Sequence, residues 1–152
     1  MAPVKVVIFE DEFLLANDLK RLISPHNYEV TGIFRRAEDG LQYMADIEKD
    51  DDFPDIVLMD ISLAGKMNGI EAAEIIAHKY NIALVFLTGM GQVELIEETF
   101  TGKPYALLNK PVDIKQALIS IRMALYQKTL EDKITMFYVL NNNSKTSDEN
   151  IS

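Results

Sequence analysis

Four consecutive apolar residues, Ile56-Val57-Leu58-Met59, run straight into Asp60. Bounded by Pro54 and Gly65, so short and unbroken a run reads as a strand buried on both faces, the pattern of a parallel sheet covered by helices. Such a strand has no place in its interior for an unpaired charge. The carboxylate therefore belongs at the open carboxyl end, where ligands bind in open α/β sheets. Taken alone, Asp60 fits two roles, a cap on the turn after the strand or a reactive group.

The rest of the chain repeats this strand in different surroundings. Val4 to Phe9 is an apolar run broken by Lys5 and closed by Glu10, Asp11 and Glu12. Phe13 to Ile23 has Leu15, Leu19, Leu22 and Ile23 at helical spacing, and Ser24-Pro25 ends it. Tyr28 to Phe34 is a second strand, rich in β-branched and aromatic residues. Ala37 to Glu48 reads as a helix, and the strand into Asp60 is the third. After a loop from Ser62 to Asn68 come a helix over Gly69 to Tyr80, a strand over Ile82 to Leu87, a polar helix over Gly91 to Phe100, and a brief strand from Ala106 to Asn109. From Val112 a long helical pattern begins, with Ile114, Leu118, Ile121 and Leu125 in one row. Five strands alternating with helices predict a doubly wound α/β fold, a five-stranded parallel sheet with helices on both faces. At 152 residues the chain is too short for an eight-stranded barrel.

Composition removes several functions. The absence of cysteine excludes disulfides, thiol catalysis and cysteine-ligated zinc. A formal charge of −9 repels phosphate backbones and argues against nucleic-acid binding. His26 and His78 lack metal-ligand spacing and read as surface residues. No run is long enough to span a bilayer and no secretory leader pattern opens the chain, so a cytoplasmic location away from membranes is expected.

In a parallel sheet all strand ends point the same way. Glu10 and Asp11 after the first strand, Asp60 after the third, Thr88 after the fourth and Lys110 after the fifth should thus converge on one pocket. Three carboxylates meeting there repel unless a cation neutralises them. An all-oxygen ligand set suits Mg²⁺ or a similar divalent ion such as Mn²⁺. A carboxylate beside such an ion, with a lysine and a hydroxyl nearby, suits phosphoryl transfer onto the carboxylate itself.

The segments Val-Val-Ile-Phe-Glu-Asp-Glu, Leu-Met-Asp-Ile-Ser-Leu, Phe-Leu-Thr-Gly and Asn-Lys-Pro stand in the order and approximate spacing of the two-component response-regulator receiver domain. Over residues 4 to 126 the chain resembles that CheY-like family. The resemblance implies a flavodoxin-like sheet of order 2-1-3-4-5. It implies that Asp60 accepts a phosphoryl group from a sensor histidine kinase or a phosphotransfer protein, and that catalysis extends no further than the chain's own phosphoryl transfer and dephosphorylation. Asp11 and Asp60 would bind Mg²⁺ directly, Glu10 through water, and Ser62 through its backbone carbonyl. Thr88 would hydrogen-bond the phosphoryl group, Lys110 would pair with it, and Lys110-Pro111 would be cis. Output would pass to a downstream protein through the face of the fourth helix, fifth strand and fifth helix. A second reading is a phosphorylation-independent interaction or dimerisation module. An aspartate-nucleophile phosphatase would need a second Asp two residues after the nucleophile, and Ser62 stands there.

One position departs from the family pattern. Leu107 occupies the place, three residues before the lysine, where Tyr or Phe is usual, so the inward swing of an aromatic ring has no ring to use. Tyr105 lies on the same strand face, roughly 7 Å away, and is either a partial substitute or a surface tyrosine. Residues 1–127 are read as the receiver domain, 128–140 as a helical extension, and 141–152 as a disordered polar tail beginning Asn141-Asn142-Asn143. The extension, with Leu130, Ile134, Phe137, Tyr138 and Leu140, packs back on the domain, forms a partner or homodimer helix, or links to a further domain. Its stripe is too short to read as a coiled coil.

Overall fold

A computed structural model describes residues 1–102 and 105–149. Strands β1 (Val4–Phe9), β2 (Tyr28–Phe34), β3 (Ile56–Asp60), β4 (Ala83–Thr88) and β5 (Ala106–Asn109) form one sheet of order β2-β1-β3-β4-β5, and every pairing is parallel. The helices are α1 (Phe13–Ile23), α2 (Ala37–Asp46), α3 (Gly69–Lys79), α4 (Gln92–Thr99) and α5 (Ile114–Glu149), with one 3₁₀ turn at Ser24–His26. Both the doubly wound sheet and the expected strand order are present.

Strand β3 lies at the centre of the sheet and is buried at all five positions. Its side chains alternate between two cores, as the strand period of two requires. Val57 and Met59 join Val7, Phe9, Leu84 and Phe86 beneath α2, α3 and α4. Ile56 and Leu58 join Val6, Ile8, Val85 and Leu87 beneath α1 and α5. The unbroken apolar run is thus explained by two separate cores, one on each face of the sheet. With both faces covered, Asp60 can meet polar groups only beyond the carboxyl edge.

The chain leaves that edge through a tightly fixed loop. Asn68 caps α3 by accepting from the Glu71 amide, while the Glu71 side chain accepts from the Asn68 amide, so two orphan donors are satisfied reciprocally. Gly69 follows, and its N–H donates to the Ile61 carbonyl at 2.7 Å. A β-carbon at Gly69 would lie 1.8 Å from the Asp60 carbonyl oxygen, so glycine is needed there to let the helix start against the end of β3. Helix α4 starts at Gln92, one residue later than the pattern suggests, because Gly91 turns the chain with a φ of 77°.

Helix α5 differs most from expectation. It runs unbroken for 36 residues to Glu149. Residues 141–149 are therefore helical where their polar composition predicts a disordered tail, and residues 150–152 lie outside the described residues. No glycine or proline follows Pro111, so nothing in the sequence stops the helix once it has started. The first turns beyond the domain are held by a polar clasp. Asn81, in the turn before β4, donates to Asp132 Oδ1 at 2.9 Å, and Lys128 reaches both Asp132 (2.7 Å) and the Asn81 side-chain carbonyl.

Gly69→Ala should cost about 3 kcal/mol, because the new methyl group must displace the Asp60 backbone. Urea unfolding measures it, and a variant as stable as the parent would contradict the close approach.

Candidate functional site

The sheet's carboxyl edge gathers most of the residues singled out in the sequence. Glu10 follows β1, and its backbone N–H donates to the Phe34 carbonyl at 2.9 Å, which fixes it beside β2. Its side chain and that of Asp60 are buried, whereas Asp11 is half-buried. Carboxylate oxygens of Glu10, Asp11 and Asp60 lie within 4.8 Å of one another. Lys110 arrives from the end of β5, its Nζ 2.6 Å from Asp60 Oδ2 and 3.4 Å from Glu10 Oε2. The Lys110-Pro111 peptide is cis, as expected. Ser62 contributes its backbone N–H to Asp60 Oδ1 at 3.3 Å.

Thr88 sits at the same edge and is buried, but its hydroxyl faces away from Asp60. It donates toward Asn109 Oδ1 at 3.0 Å and the Leu108 carbonyl at 3.5 Å, both on β5. Two further side chains belong to the rim and escaped the sequence reading. Asn109 is the partner of Thr88; its place at the end of β5, next to Lys110, was the available signal. Gln92 accepts from the Gly89 N–H at 2.7 Å and donates to Ser62 Oγ at 3.4 Å, tying the start of α4 to the loop after β3. No spacing in the sequence marks Gln92, because the tie depends on the path of two loops.

The position of Tyr105 is also settled by packing. Its ring stands edge-on to Phe86 and Phe100, with centroids 5.6 and 5.2 Å apart. Tyr105 is therefore part of the aromatic cluster under α4 and not a free surface tyrosine. Leu107 packs against the same core.

The electrostatics follow from crowding and burial. Burial pushes the Glu10 carboxyl up to about 8, the adjacent Asp60 adds to the rise through a hydrogen bond and its charge, and Lys110 opposes it. For Lys110, burial works against the ammonium, but the hydrogen bond and charge of Asp60, followed by Glu10, outweigh it and hold its pKa above the ordinary value. Three carboxyl groups share this corner with one ammonium, so the acids outnumber the base. Glu10 Oε1 is in addition buried without a hydrogen-bond partner. A buried acceptor lacking a donor, in an all-oxygen cluster with excess negative charge, fits a hard divalent cation such as Mg²⁺.

The raised pKa of Glu10 has a definite sign in stability. The folded state holds a proton that the unfolded chain, with an ordinary value of 4.5, has already lost, so stability falls as pH rises from about 4.5 toward about 8. In buffer free of divalent cations, Glu10→Gln should therefore raise the urea midpoint at about pH 8, and the gain should shrink as pH is lowered to about 5. A gain independent of pH would contradict the assignment.

Comparison with known proteins agrees with this geometry. The chain matches the response regulator receiver domain family over residues 6–122. It is 32% identical over 123 residues to the transcriptional regulatory protein PdtaR of Mycobacterium tuberculosis, an alignment covering 81% of this chain and 57% of that protein. It is 27% identical to the chemotaxis protein CheY of Treponema pallidum, covering 82% of this chain and 84% of the relative. Among solved structures, the signal receiver domain of a modulated diguanylate cyclase from Desulfovibrio desulfuricans G20 superposes with a TM-score of 0.74 at 32% identity, over 85% of this chain and 98% of that one. The chain thus spans little more than half the length of PdtaR, and 43% of the phyllosphere-induced regulator PhyR of Methylorubrum extorquens. A five-stranded parallel sheet of order 2-1-3-4-5, an acidic pocket at its carboxyl edge and the match across residues 6–122 establish that this chain belongs to the response regulator receiver domain family.

Proposed function

We propose that the chain carries signal by accepting a phosphoryl group on Asp60 from a phosphohistidine of a sensor histidine kinase or phosphotransfer protein. The observation that carries this reading is the contact of Lys110 Nζ with Asp60 Oδ2 at 2.6 Å, inside a pocket shared with Glu10 and Asp11. In the transfer, an Asp60 carboxylate oxygen attacks phosphorus, the bond to the donor imidazole nitrogen breaks, and the imidazole leaves with that electron pair. Lys110 moves from pairing with the free carboxylate to pairing with the phosphoryl oxygens. Glu10, Asp11, Asp60 and the Ser62 backbone carbonyl would hold Mg²⁺ or Mn²⁺, which would offset the negative charge of the phosphoryl oxygens. The buried setting makes each of these charge interactions stronger than it would be in water.

Thr88 is the proposed link from the site to the surface. Its hydroxyl is committed to Asn109 and Leu108, so a hydrogen bond to a phosphoryl oxygen requires it to leave β5. Such a change would be felt where β5 meets α4 and α5, the face through which a downstream protein would read the state. Leu107 supplies no ring for that purpose, and Tyr105 is held among Phe86 and Phe100. The assembled acceptor, acids and lysine support this reading over a phosphorylation-independent module. Among the described residues no helix is long and apolar enough to cross a membrane, in keeping with a proposed cytoplasmic role.

Incubation with a small acyl-phosphate donor and Mg²⁺ tests the proposal. Wild type should become labelled, whereas Asp60→Asn or chelation of the metal should reduce labelling to background. Equal labelling of wild type and Asp60→Asn would refute it.

A further inference from the structure

Two acids of the pocket are buried and held by the sheet, and the third is not. Glu10 is fixed beside β2 through its N–H, and Asp60 is the last residue of β3. Asp11 lies in the turn between β1 and α1 and is half-buried. Little holds that turn. Helix α1 starts at Phe13 with Glu12 as its N-cap, no side-chain hydrogen bond caps it, and no acid lies in its first turn. Among the described residues Asp11 makes one hydrogen bond: Arg35 Nε donates to its backbone carbonyl at 3.2 Å. Holding a cation nevertheless requires the Asp11 carboxylate to stay turned toward Glu10 and Asp60, whose carboxylate oxygens lie within 4.8 Å of its own.

We propose that Arg35 is a positioning residue for the metal site, its guanidinium holding the backbone of Asp11 so that the carboxylate faces the pocket. The proposal rests on the reading of that pocket as a divalent-cation site. Arginine has donors and no acceptor, so it acts on a cation only through Asp11. Its own backbone is well anchored for the task. The Arg35 carbonyl accepts from the Ala64 N–H at 3.1 Å, and Arg36 pairs with Ala64 as an isolated parallel bridge. Ala64 belongs to the loop after β3 that also carries Ser62. Arg35 therefore stands at the end of β2, tied on one side to the turn that bears Asp11 and on the other to the loop that bears Ser62. The side-chain bond is charge-assisted, and so stronger than one between neutral groups.

Charge and position make opposite demands on this residue. A guanidinium near a cation site repels the cation, so by charge alone its removal should tighten binding. By position its removal should weaken binding, since partners that orient a metal ligand are worth about ten- to a hundredfold in affinity. Arg35 is exposed, which places its effect at the lower end of that range. Arg36 separates the two contributions. It carries the same charge one residue further on, its Nε lies 3.8 Å from Glu38 Oε2 in an exposed pair, and it makes no hydrogen bond to Asp11.

Binding of Mn²⁺ to the unphosphorylated full-length chain, followed by the electron paramagnetic resonance of the free ion, tests the proposal, with circular dichroism as a folding control. Arg35→Met, which keeps an unbranched stem without charge or donor, should weaken Mn²⁺ binding about tenfold. Arg35→Lys, whose ammonium still reaches the carbonyl, should stay within about twofold of wild type. Arg36→Met should bind no more weakly than wild type. An Arg35→Met protein that binds as tightly as wild type or more tightly, an equal loss in Arg36→Met, or an Arg35→Lys protein as weak as Arg35→Met would overturn the proposal. Wild-type binding that Asp11→Asn leaves unchanged would overturn the reading of the pocket as the cation site, and the proposal with it.

Discussion

The ion pair between Lys110 and Asp60 holds together parts of the chain that are 50 residues apart. Asp60 ends a strand whose other residues are buried on both faces, so its charge depends on groups brought in from other strands. Glu10 comes from the strand beside it and Lys110 from the far edge of the sheet, across β4. Only a parallel sheet in this order delivers all three to one edge. The arrangement leaves more negative than positive charge in a buried place. Burial, reinforced by that imbalance, raises the Glu10 pKa, Glu10 Oε1 has no donor, and the pocket is suited to a cation. Removing Lys110 would expose the cost of burying these carboxylates, since breaking a buried pair is far more damaging than never having built it.

Much of this was legible in the sequence because the relevant signals are local. Ile56 to Met59 announces a doubly buried strand by composition alone, and the polar residue that ends each strand is fixed in direction once the sheet is parallel. The elements least legible were those decided by packing between distant segments. The orientation of the Thr88 hydroxyl toward Asn109 depends on the β4–β5 register. The Gln92 tie depends on two loops meeting, and the edge-on packing of Tyr105 depends on Phe100 arriving from the end of α4. The C-terminal helix differs from expectation for a related reason. The residues from Asn141 onward are poor helix formers by composition, but a helix already under way needs a breaker to stop it, and none is present.

The proposed phosphoryl chemistry lies at the carboxyl edge of the sheet, where α3 begins at Gly69 and α4 at Gln92. Helix α5 follows β5, and its projecting part is anchored by Asn81 at the opposite edge, before β4. What connects them is the β4–β5–α5 side of the domain: Thr88 touches β5, and Ser120 of α5 donates to the Leu107 carbonyl of β5 at 3.1 Å. A change at Thr88 therefore has a short physical route to α5 without any aromatic ring at position 107.

The central claim is that Asp60 is the residue that becomes phosphorylated. Reduction of the phosphorylated protein with borohydride converts an aspartyl phosphate to homoserine, and mass spectrometry of the peptides locates it. The account predicts homoserine at position 60 and at no other aspartate, Asp11 included. Homoserine at another position, or phosphate that survives on a histidine or serine with Asp60 unchanged, would contradict it.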